Sequence, residues 1–337
     1  MRSARSEARS RRARMGVAGL AALGAAAACA AGALGSGTTS GTTGPGEARG
    51  SPPTAAQVHA WERAFLRREG TAAKAAPAPS AKSSRRSLFP GNRVLSMYGA
   101  AGTGIGVIGR RSVRGAARKL KDQAKPYARR SSKPVIKAFD LIAVIATSCS
   151  GRRDKCRVRV SRSIIQRYLN KIRNLNGRLV LDIQPARSNV LTEIEHLAPF
   201  IRKPDVDVAI DAEWNVGRHG VPGQDLGSIS AKRLNRASKK IEGIAERRNL
   251  PEKLMIVHQF REGSITRDGR VKRRDKVDVT PNFDGIGSPS AKRAGYRSLA
   301  SRRLFNGFSL FYKLDRNLMS PKAVLGLNPS PNYVMYQ

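Results

Sequence analysis

Eight short apolar runs, separated by helical patterns, constrain the fold of this chain more than any other feature. Several of the runs are continuous stretches of Val, Ile and Leu, which is typical of parallel strands buried on both faces. Eight strands alternating with helices over about 250 residues predict an α/β fold, a (β/α)8 barrel of the TIM type. The runs are residues 93–98, 139–147, 178–184, 206–213, 253–260, 276–284, 307–313 and 333–337.

The segments between the runs have the periodicity of amphipathic helices. Four of the five helices begin with serine, a favoured N-cap residue. No helical pattern follows the eighth run, so we expect a further amphipathic segment at residues 55–69 to cover the gap in the outer layer. The five predicted helices are residues 113–128, 161–174, 188–201, 230–248 and, with a weaker pattern, 288–302.

One motif suggests a different fold, a doubly wound sheet that binds a dinucleotide. Gly104-Ile105-Gly106-Val107-Ile108-Gly109 matches G-x-G-x-x-G and follows the first run. The motif begins well beyond the end of the run, and no acidic residue ends a second strand at the required distance. A flexible glycine-rich loop is the better interpretation, and we predict no cofactor.

Residues 1–35 have the composition of an export signal, because a cluster of arginines precedes an uncharged stretch of Ala, Gly and Leu. Cys29 ends a weak lipobox and is a candidate for lipidation; simple cleavage and a retained membrane anchor are the alternatives. Residues 36–88 predict a low-complexity linker around the 55–69 helix, and residues 90–337 predict the barrel. We expect an extracytoplasmic protein that is secreted or anchored at the cell surface.

Cys149 and Cys156 are the only cysteines beyond the signal segment. In an exported protein such a pair predicts a disulfide that closes a small loop, with two free thiols as the alternative. No histidine or second cysteine pair stands nearby at the spacing of metal ligands, so we predict no metal site.

The chain is strongly basic, with 63 Lys and Arg against 24 Asp and Glu and a formal net charge of +39. Such an excess attracts polyanions. Nucleic acid is not favoured, because no binding motif accompanies the charge and aromatic residues make up only 5% of the chain. A carbohydrate or an acidic wall polymer is the expected partner, with the membrane as a second one through a lipid anchor.

The end of the fourth run, Asp211-Ala212-Glu213-Trp214, carries the best candidate for chemistry. Barrel active sites lie at the carboxyl ends of the strands. If the strand continues to Glu213, alternation places Asp211 and Glu213 on one face. Neighbouring carboxylates oppose each other's ionisation, which raises one pKa towards that of a general acid. Trp214 offers a flat apolar surface for a sugar ring, or packs at the barrel lip.

Other strand ends add carboxylate, amide, imidazole and phenol groups, which suit a carbohydrate. Glycoside hydrolysis needs an acid with a raised pKa and a second carboxylate. We predict Glu213 as the acid, Asp211 as the group that tunes it, and Asp182 or Asp284 as the second carboxylate. Helix capping by Asp182 or Asp284, and a core position for His258, are the alternatives. The predicted substrate-binding residues are Trp214, Gln184, His258, Gln259, Asn282, Tyr312, Tyr98 and Tyr336.

The Asp-x-Glu on the fourth run resembles that of the lysozyme-like glycosidases that degrade cell walls and, more loosely, that of chitinase-like enzymes. The barrel region also resembles a group of exported bacterial barrel proteins, mostly uncharacterised, in the segments LDIQP, DAEW, VPGQ, IVHQF, DGIGS and NGFSLFY. These resemblances imply export, a barrel and a cell-wall or extracellular glycan as substrate. Lysozyme-like barrels carry an Asp on strand 1, where this chain has Ser96-Met97-Tyr98. The alternative is therefore a non-catalytic surface protein that binds a glycan or another polyanion.

Overall fold

The computed structural model describes residues 51–70 and 88–337. The predicted export signal, Cys29 and most of the predicted linker lie outside these residues. No helix within the described ranges is long and apolar enough to cross a membrane.

Eight parallel strands form a closed barrel, as the sequence predicts. Strand β1 pairs with β2 on one side and with β8 on the other, so that Val94 faces both Ile136 and Tyr333. A sheet closed in this way has no edge, which excludes the doubly wound alternative. The strands are β1 (Arg93–Gly99), β2 (Val135–Ala146), β3 (Arg178–Ile183), β4 (Val206–Asp211), β5 (Lys253–Gln259), β6 (Val277–Phe283), β7 (Gly307–Leu310) and β8 (Tyr333–Tyr336).

Helices surround the barrel, and four of the eight described begin where a serine side chain caps the first turn. The hydroxyl of Ser112 accepts a hydrogen bond from Gly115 N at 3.0 Å, and Ser230, Ser288 and Ser320 act in the same way. Ser188 was predicted to cap its helix, but Asn189 does so, because the Ser188 hydroxyl binds Glu193 instead. The helices are α1 (Ala55–Glu69), α2 (Gly106–Gly109), α3 (Val113–Ala128), α4 (Arg162–Arg173), α5 (Val190–Ile201), α6 (Ala231–Arg247), α7 (Pro289–Leu299) and α8 (Pro321–Leu325).

The α1 helix packs on the outside of the barrel, near β2 and α4. Its Phe65 is buried and stacks on Tyr168 of α4, with 6.0 Å between the ring centroids. Glu62 accepts a hydrogen bond from Ser161 N at 2.7 Å. Our expectation that this helix covers the gap beside β8 was wrong, because its apolar face packs against α4. The outer face of β8 packs instead against α3, where the Tyr127 and Tyr336 hydroxyls lie 2.9 Å apart.

Ion pairs close the base of the barrel, which we define as the end formed by the amino ends of the strands. Arg178 forms two hydrogen bonds with Asp207, at 2.6 and 2.7 Å, and Arg173 binds Asp205 in the same bidentate way. Such paired geometry offsets the cost of burying the charges. The opposite end, which we call the mouth, carries the candidate site.

Candidate functional site

The fourth strand ends at Asp211, before residue 213, where the sequence predicted its end. Strand β4 stops at Asp211, and residues 212–214 form a single 3-10 turn. The Asp211 carboxylate caps this turn by accepting a hydrogen bond from Glu213 N at 3.1 Å. The predicted strand alternation is therefore wrong: Asp211 is buried inside the mouth, whereas Glu213 lies half-buried on the turn above it.

Four aspartates and one histidine line the inside of the mouth, and we call them the carboxylate layer. They come from neighbouring strands, so the register of the barrel brings them together; Asp211, for example, faces His258 of the next strand. The layer consists of Asp140 on β2, Asp182 on β3, Asp211 on β4, His258 on β5 and Asp284 just after β6.

Asp140 is the member that sequence reasoning missed. It interrupts the apolar run Phe139-Asp140-Leu141, all three residues of which are fully buried. The Tyr333 hydroxyl donates to Asp140 Oδ2 at 2.6 Å. A charged residue inside an apolar strand signals a buried polar partner or a site, and this signal was present in the sequence.

Hydrogen bonds hold Asp182 from the β1 side. The Tyr98 hydroxyl donates to Asp182 Oδ2 at 3.3 Å, and the Gln184 amide donates to the same hydroxyl at 3.5 Å. Gln184 is itself held by Ala146 N, which donates to its Oε1 at 3.1 Å. Tyr98 and Gln184 were predicted to bind substrate; the structure places them as supports of Asp182.

His258 lies between two carboxylates of the layer. Its Nδ1 is 3.5 Å from Asp284 Oδ2, and its Nε2 is 4.0 Å from Asp182 Oδ1. Asn282 Nδ2 lies 3.3 Å from the same Nδ1 and donates to Ser309 Oγ at 2.8 Å. Gln337 donates to the other oxygen of Asp284 at 3.1 Å. The imidazole is thus positioned as a bridge rather than as an isolated core histidine.

Burial and mutual repulsion separate the ionisation states within the layer. Burial, reinforced by the other acids, raises the pKa of Asp140 to about 7. Burial also raises the pKa of Asp182 to about 6, against the opposing effect of His258, and raises that of Asp211 well above its ordinary value. For Asp284 the hydrogen bond and charge of His258 outweigh burial and lower the pKa. The pKa values of Asp284 and Asp211 are thus moved in opposite directions, which favours the ionised form of Asp284 and the protonated form of Asp211.

The pKa of His258 is raised for the complementary reason, which favours the protonated imidazole. Burial alone would lower its pKa, but Asp284, Asp182 and Asp211 surround it and raise the pKa well above 6.5. His258 Nε2, Asp140 Oδ1 and Asp182 Oδ1 have no hydrogen-bond partner in the described chain. Asp284 is the member closest to solvent, with 21% of its side chain exposed.

Three predicted binding residues lie outside the mouth. Tyr312 stacks on Tyr336, with 5.1 Å between the ring centroids, and its hydroxyl donates to Gln123 of α3 at 2.7 Å. Both tyrosines therefore belong to the outer layer. Gln259 donates to Leu299 O at 3.0 Å and lines a shallow cleft between β5, β6 and the end of α7.

Trp214 packs against the predicted disulfide. Cys149 and Cys156 are bonded, which confirms the pair, and the tryptophan joins a small apolar cluster around them. Arg187 ties this disulfide loop to the loop after β4, because it donates to Gly220 O at 2.6 Å and to Gly151 O at 3.3 Å. The turn that carries Glu213 thus packs, through Trp214, against a loop that the disulfide closes.

The described residues contain no group of three or more His, Cys, Asp or Glu side chains arranged to hold a metal ion. Fold and site define the class of this protein as a parallel (β/α)8 barrel with a buried layer of four carboxyl groups and an imidazole at its mouth. No protein-family model, curated protein or solved structure matches the chain.

Proposed function

We propose that this protein is an exported or surface-tethered glycoside hydrolase that acts on a cell-wall or extracellular glycan. Glu213 serves as the general acid and Asp284 as the second carboxylate. The observation that carries the proposal is geometric: half-buried Glu213 lies on the turn capped by buried Asp211 and acts electrostatically on that carboxyl group, while Asp284 is held by His258 in the same mouth.

The chemistry follows from two carboxyl groups in different protonation states. Hydrolysis of a glycosidic bond needs one group that gives a proton to the leaving oxygen and another that is ionised. Asp284, with its lowered pKa, supplies the ionised group. The pKa of Asp211 is raised by burial and by its acidic neighbours, which favours a neutral carboxyl group instead of a second charge near Glu213. Trp214, beside Glu213, offers its exposed part to a sugar ring.

A non-catalytic role is the second candidate. Asp140 and Asp182 are fully buried and His258 is 3% exposed, so most of the carboxylate layer lies out of reach of a polymer. A barrel that binds a glycan or another polyanion at its surface needs only the rim and the positive charge.

Replacing Glu213 with Gln tests the catalytic proposal. We expect kcat on wall polysaccharide to fall by about 100-fold or more, because the variant has no proton to give, while KM changes little. Release of reducing ends from wall glycans measures the rate. Glu262→Gln, at an exposed position in the neighbouring loop, is the matched control and keeps wild-type activity.

Three further results decide between the candidates. Asp284→Asn should reduce kcat as Glu213→Gln does. Full activity in Glu213→Gln would disprove the assignment of the general acid. A wild-type protein that binds glycans but cleaves none, with binding unchanged in Glu213→Gln, would favour the non-catalytic role.

A further inference from the structure

We propose that the mouth of the barrel docks on an anionic lipid surface through two loops, residues 105–111 after β1 and residues 313–318 after β7. We call them the docking loops. This inference goes beyond the proposed hydrolysis and holds whether or not the barrel cleaves glycans.

The large exposed apolar side chains of the described residues all lie at one end of the barrel. Single exposed leucines are common on proteins, but here the large ones all follow barrel strands at the mouth, and none of those in the described ranges lies at the base. They are Ile105 (37% exposed), Leu226 (45%), Leu314 (48%) and Leu318 (37%).

Cations surround the apolar residues of the docking loops. Lys313 and Arg316 flank Leu314, and all three are exposed. The only acid in this stretch, Asp315, is turned inward and pairs with Lys292 at 2.9 Å, so it does not offset the positive charge at the surface.

The two docking loops are neighbours. Both adjoin α3: exposed Arg111 lies just before the helix, and Tyr312, just before the second loop, donates to Gln123 of α3 at 2.7 Å and has Lys119 Nζ 4.3 Å from its ring centroid. Arg110 is exposed as well and donates to Gly104 O at 3.1 Å, which keeps this cation beside Ile105. The loops therefore present one surface of mixed apolar and basic character.

The first described residues of the chain pack at the same end of the barrel. Pro53 O accepts a hydrogen bond from Ser148 N at 2.9 Å, in the loop after β2. Pro52 touches Gly223 in the loop after β4, where an added Cβ would come within 2.6 Å of Pro52 Cδ. Residues 52 and 53, near the start of the described chain, therefore lie against the loops of the mouth.

The leucines distinguish a lipid surface from a soluble polyanion. Cations bind either partner, whereas an exposed leucine gains free energy only when it enters an apolar phase. Basic and apolar side chains that alternate at a loop tip fit the boundary between lipid headgroups and acyl chains.

A fluorescent probe at the loop tip tests the inference in the full chain. Cys29→Ser removes the free thiol, and Leu314→Cys is labelled with an environment-sensitive dye. Vesicles of phosphatidylglycerol and phosphatidylcholine should shift the emission to the blue and increase it several-fold. The matched control carries the dye at Arg130→Cys, an exposed position at the base, and should not respond.

Charge reversal supplies the second measurement. Lys313→Glu with Arg316→Glu should weaken the vesicle response by about tenfold or more, and high salt should act in the same direction. Arg129→Glu with Arg130→Glu at the base should leave it unchanged.

Two results would overturn the proposal. A dye at position 314 that stays in water while the protein binds vesicles would show that the docking loops do not touch lipid. An equal emission change with a soluble anionic polysaccharide would assign the loops to polyanion binding instead.

Discussion

Buried carboxyl groups at the base of this barrel have two different kinds of surroundings. At the base, Asp205 and Asp207 each bind an arginine in a bidentate way. Asp278 at the same end has no ion-pair partner among the described residues and accepts a hydrogen bond from Phe89 N at 3.2 Å. Burial and the nearby Glu252 raise its pKa to about 8.

Asp278 should therefore make the stability of the fold depend on pH. Its ordinary pKa is 3.8, so the folded chain keeps a proton that the unfolded chain loses, and stability falls as pH rises from about 4 to 8. Asp278→Asn removes this loss. Between about pH 5 and pH 8, we expect the free energy of unfolding of the wild type to fall by roughly 2–4 kcal/mol more than that of the variant.

Urea denaturation at the two pH values measures this difference. Asp268→Asn, at an exposed position, is the control and should follow wild type at both. Parallel pH profiles for Asp278→Asn and wild type would contradict the assigned role of this carboxyl group.

The site residues were predictable where a polar group stands out from an apolar strand. Asp182, His258 and Asp284 were chosen from their positions at strand ends, and the register of the barrel brings them together. Tyr312 and Tyr336 were misplaced because apolar strands buried on both faces do not reveal which face is inside. Only the packing of both rings on α3 resolves this.

At the scale of elements, local chemistry made helix ends predictable. Ser230 caps its helix at the expected position because a capping hydrogen bond needs only neighbouring residues. The end of β4 was not predictable, because Asp211 can either continue a strand or cap a turn. The position of α1 was missed for a different reason: it depends on Tyr168, which is distant in sequence.

The docking of α1 rests on one aromatic contact that mutation can test. Phe65→Ala removes the buried ring that stacks on Tyr168, and we expect a loss of about 2–4 kcal/mol in stability because a cavity remains. Denaturation followed by circular dichroism measures it, and limited proteolysis within α1 reports its release. Arg63→Ala on the exposed face should change stability by less than about 0.5 kcal/mol. Equal stability of the two variants would show that α1 is not held by this contact.

At the scale of the whole molecule, the dominant property is charge. A formal net charge of +39 opposes a compact state, because like charges are brought together on folding. The buried pairs at the base are shielded from solvent ions, whereas the exposed lysines and arginines are not. Added salt therefore weakens mainly the repulsion among the exposed lysines and arginines.

Raising the concentration of sodium chloride should stabilise the fold. We expect the melting temperature of the purified protein to increase by several degrees as the Debye length falls from about 30 to about 8 Å. Differential scanning calorimetry measures the shift, and potassium chloride at equal ionic strength should act identically. A melting temperature that falls with salt would show that attractive surface pairs outweigh repulsion.

The pairing of β1 with β8 has a consequence for the order of events during synthesis. Strand β1 needs Tyr333–Tyr336 as a partner, and almost the whole barrel separates the two in sequence. Until those residues emerge, the sheet keeps two open edges and the interior stays wet. Closure thus comes last and is intrinsically slow, since it joins distant parts of the chain. Until Tyr333–Tyr336 are released, we therefore expect a nascent chain of this protein to lack the closed barrel.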